Sequence, residues 1–535
     1  MVLAGRPPGI GHAAAAPAPR SVSPPAGGRQ TDDQTLVLAT NRAPSDLDPH
    51  AAYDAGSLMV LRGPFETLIR VEVGTTDRYE PSLARSWEAN ADKSVWTFQL
   101  EDGVAFQDGT PCDADAVRAS FERLLALGYG PSTVLGRFVQ DAAQITVPDA
   151  RTVVFDLGRP HLHFEGAISA LSGGAIVNAR LAMEHEVNGD RGHAWAMTGP
   201  PGLGTGPYRV AETDVYEGTI LERHDAYRRG WDGGRFDRVS VRIVAEAETR
   251  RQMIERGDAD IVDNVSPESL SALQANPDLV VDLQYNLTVS YLILTVAGPL
   301  ATPSARQAIC YAFPYDEVIQ GVYEGYAKRA IGPCAELLQG FNPETFVYQT
   351  DLARAGALLD EAGVPDGTTL TLAYPSSASW VSSIAQLLGA NLDRIGLNLD
   401  IQQTDFATYV SIAYGEAPTE ERPHLMPSFW SPDYNDGWNH LWPQVSSAAW
   451  TVGNAGHYAN PEVDALLADA RDAADEATYA DAHGQIQQID TRDDPAAVYF
   501  AQPQGPTILR ADIGGYVPNL VNGGQHDFRR LFRRR

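Results

Sequence analysis

Residues 79–124 read YEPSLARSWEANADKSVWTFQLEDGVAFQDGTPCDADAVRASFERL, and this stretch decides the fold. Residues 95–100 alternate between large apolar side chains and smaller or polar ones, which predicts a strand with one buried face. Two dipeptides that tolerate the positive φ of tight turns follow, Asp102-Gly103 and Asp108-Gly109. Between them, residues 104–106 are predicted to form a short return strand.

An amphipathic helix is predicted at the end of the same stretch. Val117, Phe121 and Leu124 recur at helical spacing. Asp113 and Asp115 precede or begin this pattern, near the positive end of the helix dipole. Strand, hairpin and helix together predict a packed unit, which by itself indicates no function.

Further motifs follow along the chain. They are GTGPYRV (204–210), RQMIERGDADI (251–261), SARQAICYA (304–312), DLARAGALLDEAG (351–363) and YANPEVDALL (458–467). Together with residues 79–124, and in the same order, they resemble the motifs of bacterial extracellular solute-binding proteins of family 5, the peptide and nickel transport family. Each motif alone is weak, whereas the ordered set is specific.

The resemblance implies an α/β fold, a two-lobed clamp of the periplasmic-binding-protein type II kind with an extra inserted domain. Lobe I would be discontinuous and comprise residues 34–73, 175–284 and 496–535. Residues 74–174 would form the inserted domain, and residues 285–495 would form lobe II. No proline-rich linker marks these boundaries, so they rest on the resemblance.

Composition limits the possible partners and the location. The 535 residues carry a formal net charge of -29, which disfavours a nucleic-acid partner because phosphates would be repelled. No apolar stretch reaches the roughly 20 residues that cross a bilayer.

Residues 1–33, rich in Pro, Gly and Ala, are expected to be a disordered leader or a truncated export signal. The resemblance implies a periplasmic or extracellular location.

The cysteines indicate no disulfide framework, because there are three of them, Cys112, Cys310 and Cys334. Cys310 and Cys334 lie in one predicted lobe and could pair in an oxidising compartment. We expect three buried free thiols instead.

Catalysis is disfavoured by the motifs that the sequence lacks. It contains no Gly-x-Ser-x-Gly elbow, no phosphate-binding loop ending in Gly-Lys-Ser or Gly-Lys-Thr, and no His-Glu-x-x-His pair. A peptide or ester hydrolase is therefore the disfavoured alternative. His161 and His163 could share a strand face as a metal pair, but Pro160 favours a surface turn. We expect neither a metal nor a cofactor.

The resemblance implies that the protein captures a solute and does not transform it. The expected ligand is a small peptide or related solute, held between two lobes by a monomer and delivered to the permease subunits of an ABC importer. A nickel chelate, an opine or an oligosaccharide is the alternative ligand within the family. A binding module that is not coupled to import is a third possibility.

The sharpest candidate for a ligand contact is Asp433 in the segment FWSPDYND, residues 429–436. The segment resembles the one in oligopeptide-binding relatives where an aspartate meets the peptide's ammonium group, which is a charge-assisted hydrogen bond. Trp430, Tyr434 and Trp438 would supply apolar walls. Alternatively, the segment is a structural loop and Asp433 is a turn or cap residue.

Weaker candidates come from the predicted crossings between the lobes. Asn178 ends the stretch SGGAIVN, residues 172–178, whose small side chains allow a ligand to approach the backbone. Tyr285 and Asn286 lie at the second predicted crossing, and Tyr53 belongs to an early loop expected to face the cleft. Hinge packing, or a short helix cap in the case of Tyr53, explains these residues equally well.

Overall fold

The computed structural model describes residues 34–214, 216–376, 378, 380–521 and 523–534. The leader predicted at residues 1–33 lies outside these described residues. Strands and helices alternate through most of the described chain, as an α/β fold requires.

Strands form one large sheet and three small ones in the part of the chain that the structure describes. They are β1 (Thr35–Thr40), β2 (Ile69–Val71), β3 (Tyr79–Pro81), β4 (Ala84–Ala89), β5 (Val95–Leu100), β6 (Ile145–Asp149), β7 (Thr152–Asp156), β8 (Tyr208–Asp214), β9 (Gly218–Arg223), β10 (Arg238–Ile243), β11 (Ile261–Asp263), β12 (Leu279–Tyr285), β13 (Val289–Leu294), β14 (Ala327–Arg329), β15 (Thr369–Pro375), β16 (Asn398–Thr404), β17 (Leu425–Trp430), β18 (Ala497–Arg510), β19 (Ile513–Gly514) and β20 (Phe532–Arg533).

Helices flank these sheets. They are α1 (Ala55–Leu61), α2 (Ala114–Leu127), α3 (Gly130–Gly136), α4 (Phe164–Ser169), α5 (Leu171–Gly174), α6 (Ala179–Met183), α7 (His193–Ala196), α8 (Ala247–Arg256), α9 (Pro267–Gln274), α10 (Pro303–Ala312), α11 (Tyr315–Glu317), α12 (Leu352–Ala362), α13 (Trp380–Asp393), α14 (Phe406–Tyr414), α15 (Gly437–Val445), α16 (Pro461–Arg471) and α17 (Glu476–Gln488).

The large sheet consists of two groups of strands that the long strand β18 joins. Its order is β16-β15-β17-β13-β18-β11-β1-β10-β9-β8, and β12 and β14 also pair with β18. Residues 497–503 of β18 pair with β13 and β14, whereas residues 504–510 pair with β12 and β11. The chain also passes from β12 into β13 through residues 286–288. Two adjacent segments therefore connect the groups, as in a clamp whose lobes hinge on crossing strands.

Each group of strands has its own apolar core. Leu38 and Val241 belong to the core around β1 and β10, and Leu292 and Ile309 belong to the core around β13 and α10. Residues 497–503, which the sequence assigns to lobe I, pair with strands of the predicted lobe II. The limits of the lobes stay a prediction.

The inserted domain contains an antiparallel sheet of order β4-β5-β7-β6, and α2 packs against it. Residues 95–100 form β5 and bury their three even-numbered side chains, so the predicted strand is confirmed. The predicted helix is confirmed as α2. The Asp113 carboxylate caps it by accepting a hydrogen bond from the backbone N of Ala116 at 2.9 Å, and Phe121 is fully buried.

The return strand predicted at residues 104–106 is wrong. An isolated bridge between Ala105 and Pro111 stands in its place. The Gln107 side chain instead donates a hydrogen bond to the carbonyl of Tyr208 at 2.6 Å. Backbone hydrogen bonds from Phe106 N to Thr110 O at 2.8 Å and from Cys112 N to Val104 O at 2.9 Å flank this bridge. The Gln107 contact anchors the turn to the segment that begins β8.

The cysteines are free and buried in the described chain, which confirms the expectation of three buried thiols. Cys310 and Cys334 do not form a disulfide. Burial raises the pKa of both thiols, so neither is poised to ionise near neutral pH.

Candidate functional site

A narrow cavity lies where the loop after β17 meets the end of α1. Its lining includes Arg62, Ser172, Asp433, Tyr434 and part of the segment 519–525. The volume is about 20 Å³, whereas a single water molecule needs about 10–15 Å³. The cavity in this form is therefore too small for a peptide, and a ligand could enter only if the surrounding segments separate.

Asp433 is held at this cavity by hydrogen bonds from three uncharged side chains. The Tyr53 hydroxyl donates to Oδ2 at 2.8 Å, Ser172 Oγ donates to Oδ1 at 3.1 Å, and Asn439 Nδ2 donates to Oδ2 at 3.2 Å. Burial raises the pKa of Asp433, and these hydrogen bonds act in the opposite direction because they favour the carboxylate. The Asp433 carboxylate is thus oriented by these hydrogen bonds and partly shielded from water.

Residues at both ends of the loop that holds Asp433 fix where β17 stops and where α15 starts. Pro432 cannot donate a ladder hydrogen bond, and β17 ends two residues before it. Asp436 caps α15 by accepting a hydrogen bond from the backbone N of Trp438 at 2.8 Å. Asn439 Oδ1 accepts from the backbone N of Asp433 at 2.8 Å. The position of Asp433 is therefore coupled to the start of a helix.

A buried ionic cluster lies beside this loop. Arg137, which directly follows α3, donates to the Asp436 carboxylate and, at 3.0 Å, to the Tyr434 hydroxyl. Its guanidinium lies 4.0 Å from the centre of the Trp438 ring. Burial alone would raise the pKa of Asp436, but Arg137 holds that pKa well below its usual range. The cluster connects the inserted domain to the predicted lobe II.

The structure brings Tyr53, Asp433 and Tyr434 together and places the other predicted wall residues elsewhere. Tyr434 lines the cavity, although its ring is buried in the core of the inserted domain. Trp430 packs on the core beside β13, and the indole N–H of Trp438 donates to a backbone carbonyl of α16 at 2.9 Å. Contact of any of these side chains with a ligand stays a prediction.

The residues at the predicted crossings have structural partners. Asn178 caps α6, and its Nδ2 donates to Asp108 Oδ2 at 3.0 Å. Tyr285 ends β12, and the Lys328 ammonium lies 4.5 Å from the centre of its ring. The Asn286 side chain accepts a hydrogen bond from the backbone two residues further along. None of the three candidates lines the cavity, and their role at a ligand stays a prediction.

His161 and His163 lie at a turn over residues 162–163, as predicted, but both are buried, so the predicted surface position is wrong. They are 1% and 7% exposed, and they pack at 4.9 Å from the Phe138 ring centre and 4.5 Å from the Tyr479 ring centre, respectively. The turn is therefore packed against these two rings and is not exposed to solvent. No group of three His, Cys, Asp or Glu side chains among the described residues could hold a metal ion.

None of the described helices combines the length and the apolar composition that a membrane-spanning segment needs.

The sequence analysis missed Arg62 and Arg137. Each follows a helix of only seven residues, α1 and α3, which is too short to give a strong periodic pattern. Neither arginine belongs to one of the motifs quoted above, and each lies about 300 residues or more from Asp433 in sequence. Only the tertiary structure brings them to the loop after β17.

The large sheet joined through β18, with the sheet β4-β5-β7-β6 beside it, gives the chain a two-lobed α/β fold. Residues 78–452, more than half of the chain, match the family model of bacterial extracellular solute-binding proteins, family 5. The chain belongs to this family. The predicted family and the predicted two-lobed α/β fold are therefore confirmed.

Relatives and solved structures extend over nearly the whole chain. The probable D,D-dipeptide-binding periplasmic protein DdpA of Escherichia coli (strain K12) is 30% identical over 491 residues, which are 90% of this chain and 91% of the relative. The glutathione-binding protein GsiB of the same strain is 25% identical and covers 91% of each chain. The periplasmic binding protein DppA from Helicobacter pylori, in complex with the peptide STSA, has a TM-score of 0.80 and 25% identity, covering 94% of this chain and 98% of that one.

Proposed function

We propose that this protein captures a short peptide with a free amino end and delivers it to the permease of an ABC importer in the periplasm or outside the cell. The observation that carries the proposal is the Asp433 carboxylate, which Tyr53, Ser172 and Asn439 orient at a cavity between segments far apart in sequence. A carboxylate that is oriented and partly desolvated forms a strong, charge-assisted hydrogen bond with an ammonium group. The names of the relatives agree with a peptide ligand.

The mechanism that fits the geometry is closure of the lobes on the ligand. Because the cavity measures about 20 Å³, a peptide must enter while the lobes are apart. Contacts such as Arg137 to Asp436, which join the inserted domain to the predicted lobe II, then favour the closed form. A ligand shifts this equilibrium only by as much as it binds the closed form better than the open form. No covalent step is needed, so we expect the peptide to be released intact.

Calorimetric titration of the purified protein tests the proposal. The probes are L-Ala-L-Ala, D-Ala-D-Ala and glutathione, compared with a nickel–histidine chelate, an opine and a maltose oligosaccharide. We expect saturable binding of at least one peptide and recovery of that peptide unchanged by mass spectrometry. Binding confined to the chelate, the opine or the sugar would overturn the peptide assignment and leave the solute-binding class in place. Peptide cleavage would overturn the non-enzymatic assignment.

A further inference from the structure

The chain after β19 links the two groups of strands once more, in addition to β18 and the connection from β12 to β13. Ile513, in β19, belongs to the core around β1 and β10, which we call the first core. Val521 is 4% exposed and belongs to a different core, the second core, which includes Met426 of β17 and Val463 of α16. Phe528 lies in the first core again. The chain between Ile513 and Phe528 therefore leaves one group of strands, packs into the other and returns.

Hydrogen bonds on both sides of Val521 anchor this part of the chain to the first group of strands. Before it, the Tyr516 hydroxyl donates to Asp282 Oδ2, in β12, at 2.8 Å. After it, Gln525 Oε1 accepts from Arg62 Nε, directly after α1, at 2.7 Å. We call residues 516–521 and 523–527 the C-terminal strap. Its two ends are thus fixed to one group of strands, while Val521 is held by the other.

The strap also lies against a connection between the two groups. A Cβ at Gly523 would lie 2.6 Å from Nδ2 of Asn286, in the connection from β12 to β13. The Gly523 carbonyl accepts a hydrogen bond from Nη1 of Arg42, shortly after β1, at 3.1 Å. The strap backbone is therefore packed onto a hinge segment and tied to the first group. Rotation of one group relative to the other must bend the strap or pull Val521 out of the second core.

The strap forms part of the wall of the cavity at Asp433. Asn519, Val521 and Gln525 line this cavity together with Asp433 and Tyr434. Because its volume is about 20 Å³, a peptide can be held there only if part of the wall moves. Val521 joins this wall to the second core, and burial of its apolar side chain favours the position in which the cavity is narrow.

We propose that the C-terminal strap is the moving wall of the ligand cavity. Val521 leaves the second core when the two groups of strands separate, and it packs there again when a peptide is enclosed. A peptide that binds the enclosed form better than the open form then holds the strap in place. This inference rests on the proposed function and adds to it the element that controls entry and release.

The test is the rate at which a thiol-specific reagent labels Val521→Cys and Val463→Cys in the native protein. Both positions lie in the second core, and Val463 is the matched control because it is 0% exposed and lies in α16, outside the strap. The wild type gives the background of the three buried natural cysteines. Thermal melts establish that both variants are folded. Labelling is repeated with L-Ala-L-Ala, D-Ala-D-Ala and glutathione.

Without peptide, Val521→Cys should be labelled at least about tenfold faster than Val463→Cys, because local opening needs less free energy than global unfolding. A peptide at 100 times its Kd should slow the labelling of Val521→Cys by up to about 100-fold, since the strap then opens only in molecules without peptide. Amide hydrogen exchange in the strap of the wild type should slow with the same peptide. This last measurement needs no variant and decides the question even if Val521→Cys does not fold.

Two results would overturn the inference. Equal labelling of the two variants without peptide would show that Val521 stays in the second core. Labelling or amide exchange of the strap that does not change with a peptide shown by calorimetry to bind would separate the strap from the ligand and leave the proposed function standing. If none of the three peptides binds the wild type, the peptide assignment falls, and the comparison of the two variants still decides whether the strap opens.

Discussion

Arg137 and Asp436 form a buried ion pair between the end of α3 and the start of α15, with side chains 7% and 0% exposed. The two residues are 299 positions apart in sequence. Asp436 also accepts a hydrogen bond from the Tyr479 hydroxyl and caps α15. One carboxylate thus stabilises the loop that holds Asp433 and joins the inserted domain to the predicted lobe II.

Replacing Arg137 with Met should destabilise the protein by roughly 3–5 kcal/mol, because it leaves the Asp436 carboxylate buried without its cation. Urea unfolding measures this as a lower midpoint at an unchanged slope. Arg159→Met is the matched control. Arg159 also pairs across this interface, with Asp472 at 2.8 Å, but both side chains are about a third or more exposed, so its loss should be about 0–1 kcal/mol. Equal effects of the two variants would contradict this account of the interface.

Gly166→Ala should weaken ligand binding, because the added Cβ would displace Tyr434, which lines the cavity beside Asp433. A Cβ at Gly166, in α4, would lie 2.5 Å from Cδ2 of the Tyr434 ring. Overpacking of this kind costs about 1–3 kcal/mol, which corresponds to roughly 5- to 150-fold in affinity if the cost falls on the closed form. Small-angle scattering should show a larger radius of gyration at a given ligand concentration.

Gly136→Ala is the control for this substitution. Gly136 also lies in a helix of the inserted domain, and nothing lies within 4 Å of its added Cβ. It should bind like the wild type. Wild-type affinity in Gly166→Ala would show that the contact of Tyr434 with α4 plays no part in closure.

Because Asp490 is buried, the free energy of unfolding should fall as pH rises from about 4 to 7. Asp490 is fully buried, and burial raises its pKa to about 7 against hydrogen bonds from the Tyr499 hydroxyl at 2.6 Å and the backbone N of Ala496 at 2.9 Å. The folded state therefore binds more protons than the unfolded state between these pH values, and the free energy of unfolding decreases as pH rises. The full effect is on the order of 4 kcal/mol.

Urea midpoints of the wild type and Asp490→Asn at pH 5 and pH 8 measure this dependence. The neutral amide cannot ionise, so the difference between the two pH values should be smaller in the variant by the contribution of Asp490. Parallel pH profiles for the two proteins would show that Asp490 is ionised in the folded state at both values.

The thiols of Cys112, Cys310 and Cys334 should be unreactive in the folded protein. All three are buried and free, and burial raises the pKa of each, so the reactive thiolate is scarce. A thiol-specific reagent should label all three only after denaturation, and a reducing agent should leave the melting temperature unchanged. Rapid labelling of the native protein, or a melting temperature that falls on reduction, would contradict this arrangement.

Local patterns in the sequence were sufficient to predict individual elements. Alternation predicted β5, and helical spacing with an aspartate cap predicted α2, because burial on one face and capping depend on neighbouring residues. The buried surroundings of His161 and His163 could not be predicted in this way. Their partners include Tyr479, which lies more than 300 residues further along, and no local pattern reports such packing.

The candidate site was only partly accessible to sequence reasoning. Asp433 and Tyr53 were named from a motif and an early loop, and the structure joins them through a hydrogen bond of 2.8 Å. Arg62 could not be singled out, because only the fold brings it to the cavity beside Asp433. Asn178 and Tyr285 were placed near the crossings between lobes, but their side chains have partners outside the cavity.

The central claim is that Asp433 binds the amino end of a peptide. Asp433→Asn keeps the shape of the side chain and removes its charge, so the peptide's ammonium would be left in a partly desolvated site without its counter-charge. Such a loss costs roughly 2–5 kcal/mol, which is about 30-fold or more in affinity. N-acetylation of the peptide removes the same contact from the other partner, so the two losses should not add.

The most direct measurement is calorimetric titration of the wild type and Asp433→Asn with the free and N-acetylated forms of one bound dipeptide, after a thermal melt of each protein. We predict tight binding for the wild type with the free peptide and similar, weak binding for the other three combinations. A folded Asp433→Asn variant that binds the free peptide as tightly as the wild type would contradict the account and make Asp433 a structural residue of its loop.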